Sequence, residues 1–338
     1  MEGKEKTSFF ALMRKIPGGI IIVPLFIGVI LNTVAPNALA IGGFTQGLFK
    51  SGTACLLGLF LLLNGASINV RHIGMPFYKG VVLTGIKFLL GVAIGLLVGA
   101  LFGPTGFLGI TPMAFIAALT NSAGGEYLAI AQQYGDDTDA GAISILSLND
   151  GPFFTMVAMG AAGMANIPLT TFISTLVPLI VGIIWGNLDS EFRKHAAAAL
   201  PIVTFFMMVP IGAGMSLRGL VSGGLGGIVL AVISALSAFV FYFVFQLFLP
   251  KKKRNAMGAA IGTTAANASA VPANMAEADP SLAPYAEAAT AQLTIAAIIT
   301  AFTCPIITAY LDKMMRKKKK GIYSDEAVAE REAAEAAK

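Results

Sequence analysis

Apolar runs of about 20 residues recur along the whole chain, and about 20 residues carry an α-helix across ~30 Å of hydrocarbon. Water is absent there, so backbone N–H and C=O groups must pair within the protein. Windows between charged or Pro/Gly punctuation give ten spans, at about 17–35, 46–68, 79–102, 112–134, 140–163, 169–188, 197–217, 222–249, 255–276 and 284–312. Composition agrees. Only 12% of the 338 residues are charged, against roughly 25% in soluble domains. The expected fold is an all-α polytopic membrane protein with ten transmembrane helices. Ala38-Leu39-Ala40 resembles a signal-peptidase site. The apolar run before it, VPLFIGVILNTV at 23–34, has a near copy later in the chain, so it is expected to be retained.

Loop charge gives the orientation. With the N-terminus in the cytoplasm, eighteen Lys and Arg up to residue 320 fall in the segments on that side and only Arg218 on the other. The positive-inside rule then puts both termini in the cytoplasm. Residues 1–15 become a cytoplasmic lead, and 316–338 a charged, Ala-rich tail expected to fray as a helix. Its Lys run anchors the last span beside the lipid headgroups. Asp136, Asp137 and Asp139 read as a solvated turn and helix start.

The body divides into two similar halves, 16–163 and 169–315. VPLFIGVILNTV (23–34) matches VPLIVGIIWGNL (177–188), with Gly28 on Gly182; GASI (65–68) lies over GMSL (214–217); AALTNSAGG (117–125) lies over AAIGTTAAN (259–267). Each unit holds five spans, an odd number, so the second copy enters the membrane from the opposite side. A 5+5 inverted repeat of this kind is the architecture of secondary transporters.

The fourth span of each half is interrupted, by TNSAGGE at 120–126 and by GTTAANASAVPAN at 262–274. Broken helices at corresponding positions point to a transport site, since irregular backbone survives in a membrane only inside protein or along a cavity. An interruption frees N–H groups that suit a carboxylate and C=O groups that suit a cation. Lys87, Glu126 and Asp150 lie near the midplane, where each would cost roughly 2.5–3.5 kcal/mol if it faced lipid. They should face one another or the breaks. The functional reading makes Asp150 or Glu126 the proton carrier and Lys87 the attraction for an anionic substrate. The bland one is a static Lys87–Asp150 staple. Asn121, Gly124, Gly125, Asn149, Thr263, Thr264, Asn267 and Gln292 complete the candidate substrate site, with Gln292 placed in span ten as Asp150 is in span five. Asn64 joins them as a buried polar group.

IPGGIIIVPLFIGVILNT, the TN…GG…Y…QQYG segment, SLNDGP at 147–152 and WGNLDSEFRK at 185–194 resemble the 2-keto-3-deoxygluconate permease family, over nearly the whole chain to about residue 314. The resemblance implies an inner-membrane proton symporter for the sugar acid of pectin breakdown. It also implies ten helices with crossed, broken fourth and ninth members, as in the wider bile-acid/sodium symporter-like group. The chain departs from the family's compact TNGG by two inserted residues and Glu126. The acid at Asp150 fits the family pattern. The break at 262–274 lacks the Glu that sodium-coupled relatives carry, which favours a proton over sodium. Alternatives are a sodium-coupled organic-anion symporter, a cation/proton antiporter, and a membrane sensor without flux. No CxxC, HExxH, P-loop or GxSxG pattern occurs. No enzyme activity, metal, cofactor or nucleic-acid partner is therefore expected; the partners are the bilayer and a small anionic substrate, and the oligomeric state stays open. Cys55 and Cys304 are expected to be buried thiols.

Overall fold

The computed structural model describes residues 8–13, 19–70, 74–121, 123–149, 151–214, 217, 221 and 223–336. Among these residues the regular structure is helical, apart from one isolated bridge between Phe107 and Ile110. The first half of the chain gives α1 (Gly19–Val34), α2 (Thr53–Ser67), α3 (Met75–Phe102), α4 (Pro112–Thr120), α5 (Gly124–Tyr134) and α6 (Phe153–Ala161). The second gives α7 (Leu169–Leu188), α8 (Ser190–Ala213), α9 (Gly224–Phe248), α10 (Met257–Ala260), α11 (Val271–Ala278), α12 (Ala283–Lys317) and a final α13 (Asp325–Ala336).

Among the described residues, five helical runs are long and apolar enough to cross a membrane: α3, α7, α8, α9 and the run containing α12. Joining two pairs bent by 58° raises that to seven: Gly43–Phe49 with α2, and Thr138–Asn149 with α6. The other three windows are a helix of 16 residues, α1, and the two interrupted segments α4–α5 and α10–α11. Interruption, not want of apolar residues, is what keeps those two from counting as single long helices.

Glycine sets the helix packing. In lipid, helices gain little from apolar burial as such and associate through close backbone contact at small residues. α1 crosses α8 where a side chain on Gly28 would strike the Val209 carbonyl and one on Gly212 the Leu25 carbonyl. α7 crosses α2 in the same way, with Gly182 against the Leu62 carbonyl and Gly65 against the Leu179 carbonyl. α2 also packs on α8, so these four helices form one group. In the remainder, α3 lies on α4, and α9 on α12.

The interrupted segments pack against each other within that second group. Phe115, Ala118 and Leu119 of α4 share a core with Val271 and Met275 of α11. Tyr127, Ile130 and Ala131 of α5 share another with Met257, Ala260 and Ile261. The head of each segment thus meets the foot of the other. Residues 112–121 and 255–272 are buried without exception, as expected of helices surrounded by protein. Thr111 starts α4 by accepting the Ala114 N–H at 3.1 Å, with Pro112 in the first turn, where a missing N–H costs nothing.

The tail corrects one expectation. Instead of fraying, it turns back at Gly321, whose φ of +65° and whose closeness to the Arg254 carbonyl leave no room for a side chain. The Ile322 N–H donates to that carbonyl at 3.0 Å, and Lys252 pairs with Glu330 at 2.6 Å and Glu326 at 3.4 Å. The Tyr323 hydroxyl donates to Asp312 at 2.7 Å. Cysteine needs a second correction: Cys304 is buried, but Cys55 lies on the exposed face of α2.

Candidate functional site

The first break begins where α4 runs out at Asn121, whose backbone is already extended (ψ 137°). The side chains there tie the end of α4 to the bend before α6. The Asn121 amide donates to the Ala117 carbonyl at 3.0 Å and to the Thr155 hydroxyl at 3.3 Å, and its oxygen accepts the Gly151 N–H at 3.2 Å. Asn149 donates to the Thr120 carbonyl, and the Thr120 and Thr155 hydroxyls lie 3.3 Å apart. Gly151 has φ +119°, a conformation that L side chains rarely adopt. Asn149 and Gly151, the neighbours of position 150, are therefore both bound to the end of α4. Asp150 itself lies outside the described residues, and so does its expected pairing with Lys87.

The break ends at α5. Ala123 supplies no side-chain cap, so the first N–H groups of this 11-residue helix, beginning at Gly124 and Gly125, have no side-chain acceptor from that residue. Glu126 follows in the first turn, and its Oε2 is buried without a hydrogen-bond partner among the described residues.

The second break is held from two sides. The Thr264 N–H donates to the Thr300 hydroxyl at 2.9 Å, and the Thr264 hydroxyl to Ser234 at 3.1 Å. The Thr263 carbonyl accepts the Lys87 ammonium at 2.7 Å. Lys87 is 1% exposed, so α3 reaches through the core to place its charge on the freed carbonyl of the other segment. Asn267 is buried, and its Oδ1 has no partner among the described residues. Thr263, Thr264, Asn267, Glu126 and the Gly124–Gly125 N–H groups thus belong to the two breaks, and Lys87 reaches the second of them from α3.

Gln292 does not join them. Its amide donates to the Gly109 carbonyl at 2.9 Å and lies against Gly226, bracing the 103–111 loop. Asn64 donates to the Ser147 carbonyl at 2.8 Å, linking α2 to the bend before α6. A cavity of about 290 Å³ opens between the two helix groups, near the lower end of the roughly 300–1,000 Å³ usual for small-molecule sites. Its polar lining is Thr171, Ser174 and Thr175 of α7 with Asn274 and Glu277 of α11, and Pro152 brings it to the edge of the first break. These residues were not singled out from the sequence. The hydroxyl cluster of the sixth span is visible there, but nothing local shows that it faces α11.

Away from the breaks, Lys79 of α3 is buried in an ion cluster at the 135–139 turn, 2.7 Å from Asp139 and 3.1 Å from Asp136. Asn255 donates to Asp139 at 2.5 Å, and Asp136 and Asp139 form a capping box. The expected solvated turn is thus partly a buried joint between α3, α5 and the approach to α10. Burial pushes the Asp136 carboxyl up, but Lys79 and the Thr138 hydrogen bonds outweigh it and hold it at about 2.

A family profile described as KdgT, 2-keto-3-deoxygluconate permease, matches residues 10–317. The chain is 45% identical over 311 residues to 2-keto-3-deoxygluconate permease 1 of Salmonella typhimurium, covering 90% of this chain and 96% of the relative. It is 35% identical over 316 residues to the 2-keto-3-deoxygluconate permease of Bacillus subtilis, covering 92% and 95%. It is 31% identical over 313 residues to that of Escherichia coli O157:H7, covering 91% and 95%. With a match of that extent and relatives covered nearly end to end, the chain belongs to the 2-keto-3-deoxygluconate permease family.

Proposed function

We propose that this chain is a secondary active transporter, importing 2-keto-3-deoxygluconate or a close sugar acid with protons by alternating access. The observation that carries the reading is the packing of two interrupted helices against each other, with Lys87 on a carbonyl of one break and Glu126, whose Oε2 is enclosed, in the other. The names of the relatives supply the substrate class. The ten spans form two inverted repeats of five in the inner membrane, with both termini cytoplasmic. Loop charge and the matched crossings at Gly28 and Gly182 support this arrangement.

In this mechanism α1, α2, α7 and α8 move against the interrupted helices, and the cavity between the groups is one side's entry. The substrate carboxylate is drawn to Lys87 and the N–H groups at Gly124 and Gly125. Thr263 and Asn267 meet hydroxyls. Asn121, Asn149 and Thr264 hold the breaks in shape, and Gln292 braces a loop. The proton rides on Asp150 or Glu126. Protonation neutralises a carboxylate so that it crosses the barrier without charge, which low-dielectric surroundings favour.

Purified protein in proteoliposomes, given labelled 2-keto-3-deoxygluconate, tests the reading. Accumulation should follow an imposed inside-alkaline pH gradient and ignore a sodium gradient. Glu126→Gln or Asp150→Asn should abolish accumulation while leaving exchange of bound substrate. Uptake driven by sodium at fixed pH would overturn the coupling, and no flux of any sugar acid would overturn the function.

A further inference from the structure

The carbonyls freed at an interrupted helix are a common seat for a coupling cation. Here that seat is taken by the protein itself: the Lys87 ammonium is on the Thr263 carbonyl at 2.7 Å. Other buried oxygen atoms lie on α3, α5 and α12, and α5 and α12 both pack on α10, just before the second break. Glu126 lies within electrostatic reach of Lys87, and its Oε2 has no hydrogen-bond partner among the described residues. Thr84, one turn before Lys87 on α3, and Thr303 of α12 carry buried hydroxyls in the same condition. A carbonyl, a carboxylate and hydroxyls are oxygen donors of the type that hard cations take, and one amine already stands on the carbonyl.

We infer that Lys87 is a tethered cation filling a vestigial alkali-ion site between α3 and the second break, and that its presence bars sodium from the carrier. The ammonium carries the same charge as sodium but cannot leave. The neighbouring carboxylate is then neutralised during transport by a proton and not by an exchanging metal ion. This inference rests on the transport reading of the two breaks and adds what selects the ion. It predicts that deleting the amine reopens the site: a neutral, shorter side chain leaves the Thr263 carbonyl without its ammonium and Glu126 without that compensating charge.

The test uses detergent-purified full-length protein without substrate, comparing sodium chloride with choline chloride at equal ionic strength. Wild type and Lys87→Arg should show the same Tm in both salts and no saturable ²²Na⁺ binding. Lys87→Ser and Lys87→Gln should bind ²²Na⁺ saturably and melt several degrees higher in sodium, since a ligand bound only by the folded state stabilises it. A neutral variant that is recovered folded only when purified in sodium supports the inference equally. Saturable sodium binding by wild type overturns it. So do neutral variants that ignore sodium, or that fail to fold in either salt. The two readings fail separately. Sodium-driven uptake by wild type sinks proton coupling, whereas pH-driven uptake by a wild type that also binds sodium sinks this inference alone.

Discussion

At the scale of single residues, the difference between holding a break and serving a substrate is measurable. Asn121 spends its donors on Ala117 and Thr155 and its oxygen on Gly151, whereas the Asn267 oxygen has no partner among the described residues. Asn121→Ala should leave the Gly151 N–H buried and unsatisfied, at a cost of about 1–3 kcal/mol, seen as a lower Tm without substrate. Asn267→Ala should leave that Tm nearly unchanged and raise the KM for uptake. The reverse pattern would exchange their roles. Asp136 gives a pH control. Its carboxyl is held at about 2, below the ordinary 3.8, so its stabilising effect is complete above the unfolded value and lost as pH falls toward 2. The Tm difference between wild type and Asp136→Asn should therefore shrink as pH falls from about 4 toward 2, after a separate change near pH 6, where the Asp139 carboxyl of the same cluster, pushed up to about 6 by burial against the pull of Lys79, takes its proton. A difference that does not shrink below about pH 4 would mean that the Asp136 carboxylate is not what Lys79 holds.

At the scale of elements, the glycine crossings carry the packing. Gly28 on α8 and Gly182 on α2 each face a backbone carbonyl with no room for a Cβ. Gly28→Leu and Gly182→Leu should each cost at least the roughly 1–3 kcal/mol of an overpacked core, read as a loss of folded yield and Tm. Similar losses are expected from both, because the two positions play matched parts; a large loss from one alone would argue against matched halves. The glycine pair and the two interruptions were legible in the sequence because each is a local departure from an apolar pattern, repeated in order. The turned-back tail was not legible. Its hold depends on the Arg254 carbonyl and Lys252, partners far away in the chain with no local signature. The same holds for Asn121, which reads like a binding residue until Gly151 is seen to occupy it, and for Gln292, whose sequence parallel with Asp150 says nothing of Gly109. The cavity between α7 and α11 needed the packing of two groups that no window spans.

At the scale of the molecule, residues 255–272 show the bilayer no side. A segment that faces lipid can partition into the membrane by itself, but this one offers freed backbone groups and buried amides that only neighbouring protein can satisfy. Its entry into the bilayer therefore has to be a late, assisted event. While the chain is being made, α10 and α11 must wait at the insertion machinery for α12, which supplies Thr300, the partner of the Thr264 N–H. A chain truncated before Ala283 should leave the preceding segment accessible to membrane-impermeant cysteine labelling after Ala268→Cys, in a background with Cys55 and Cys304 replaced, and should be degraded quickly in cells. The complete chain should be protected and long-lived. Protection in the truncated chain would mean that the segment inserts without its last helix. The burial of the second break thus also dictates a timetable for biogenesis, in which this segment enters the membrane only together with the last long helix.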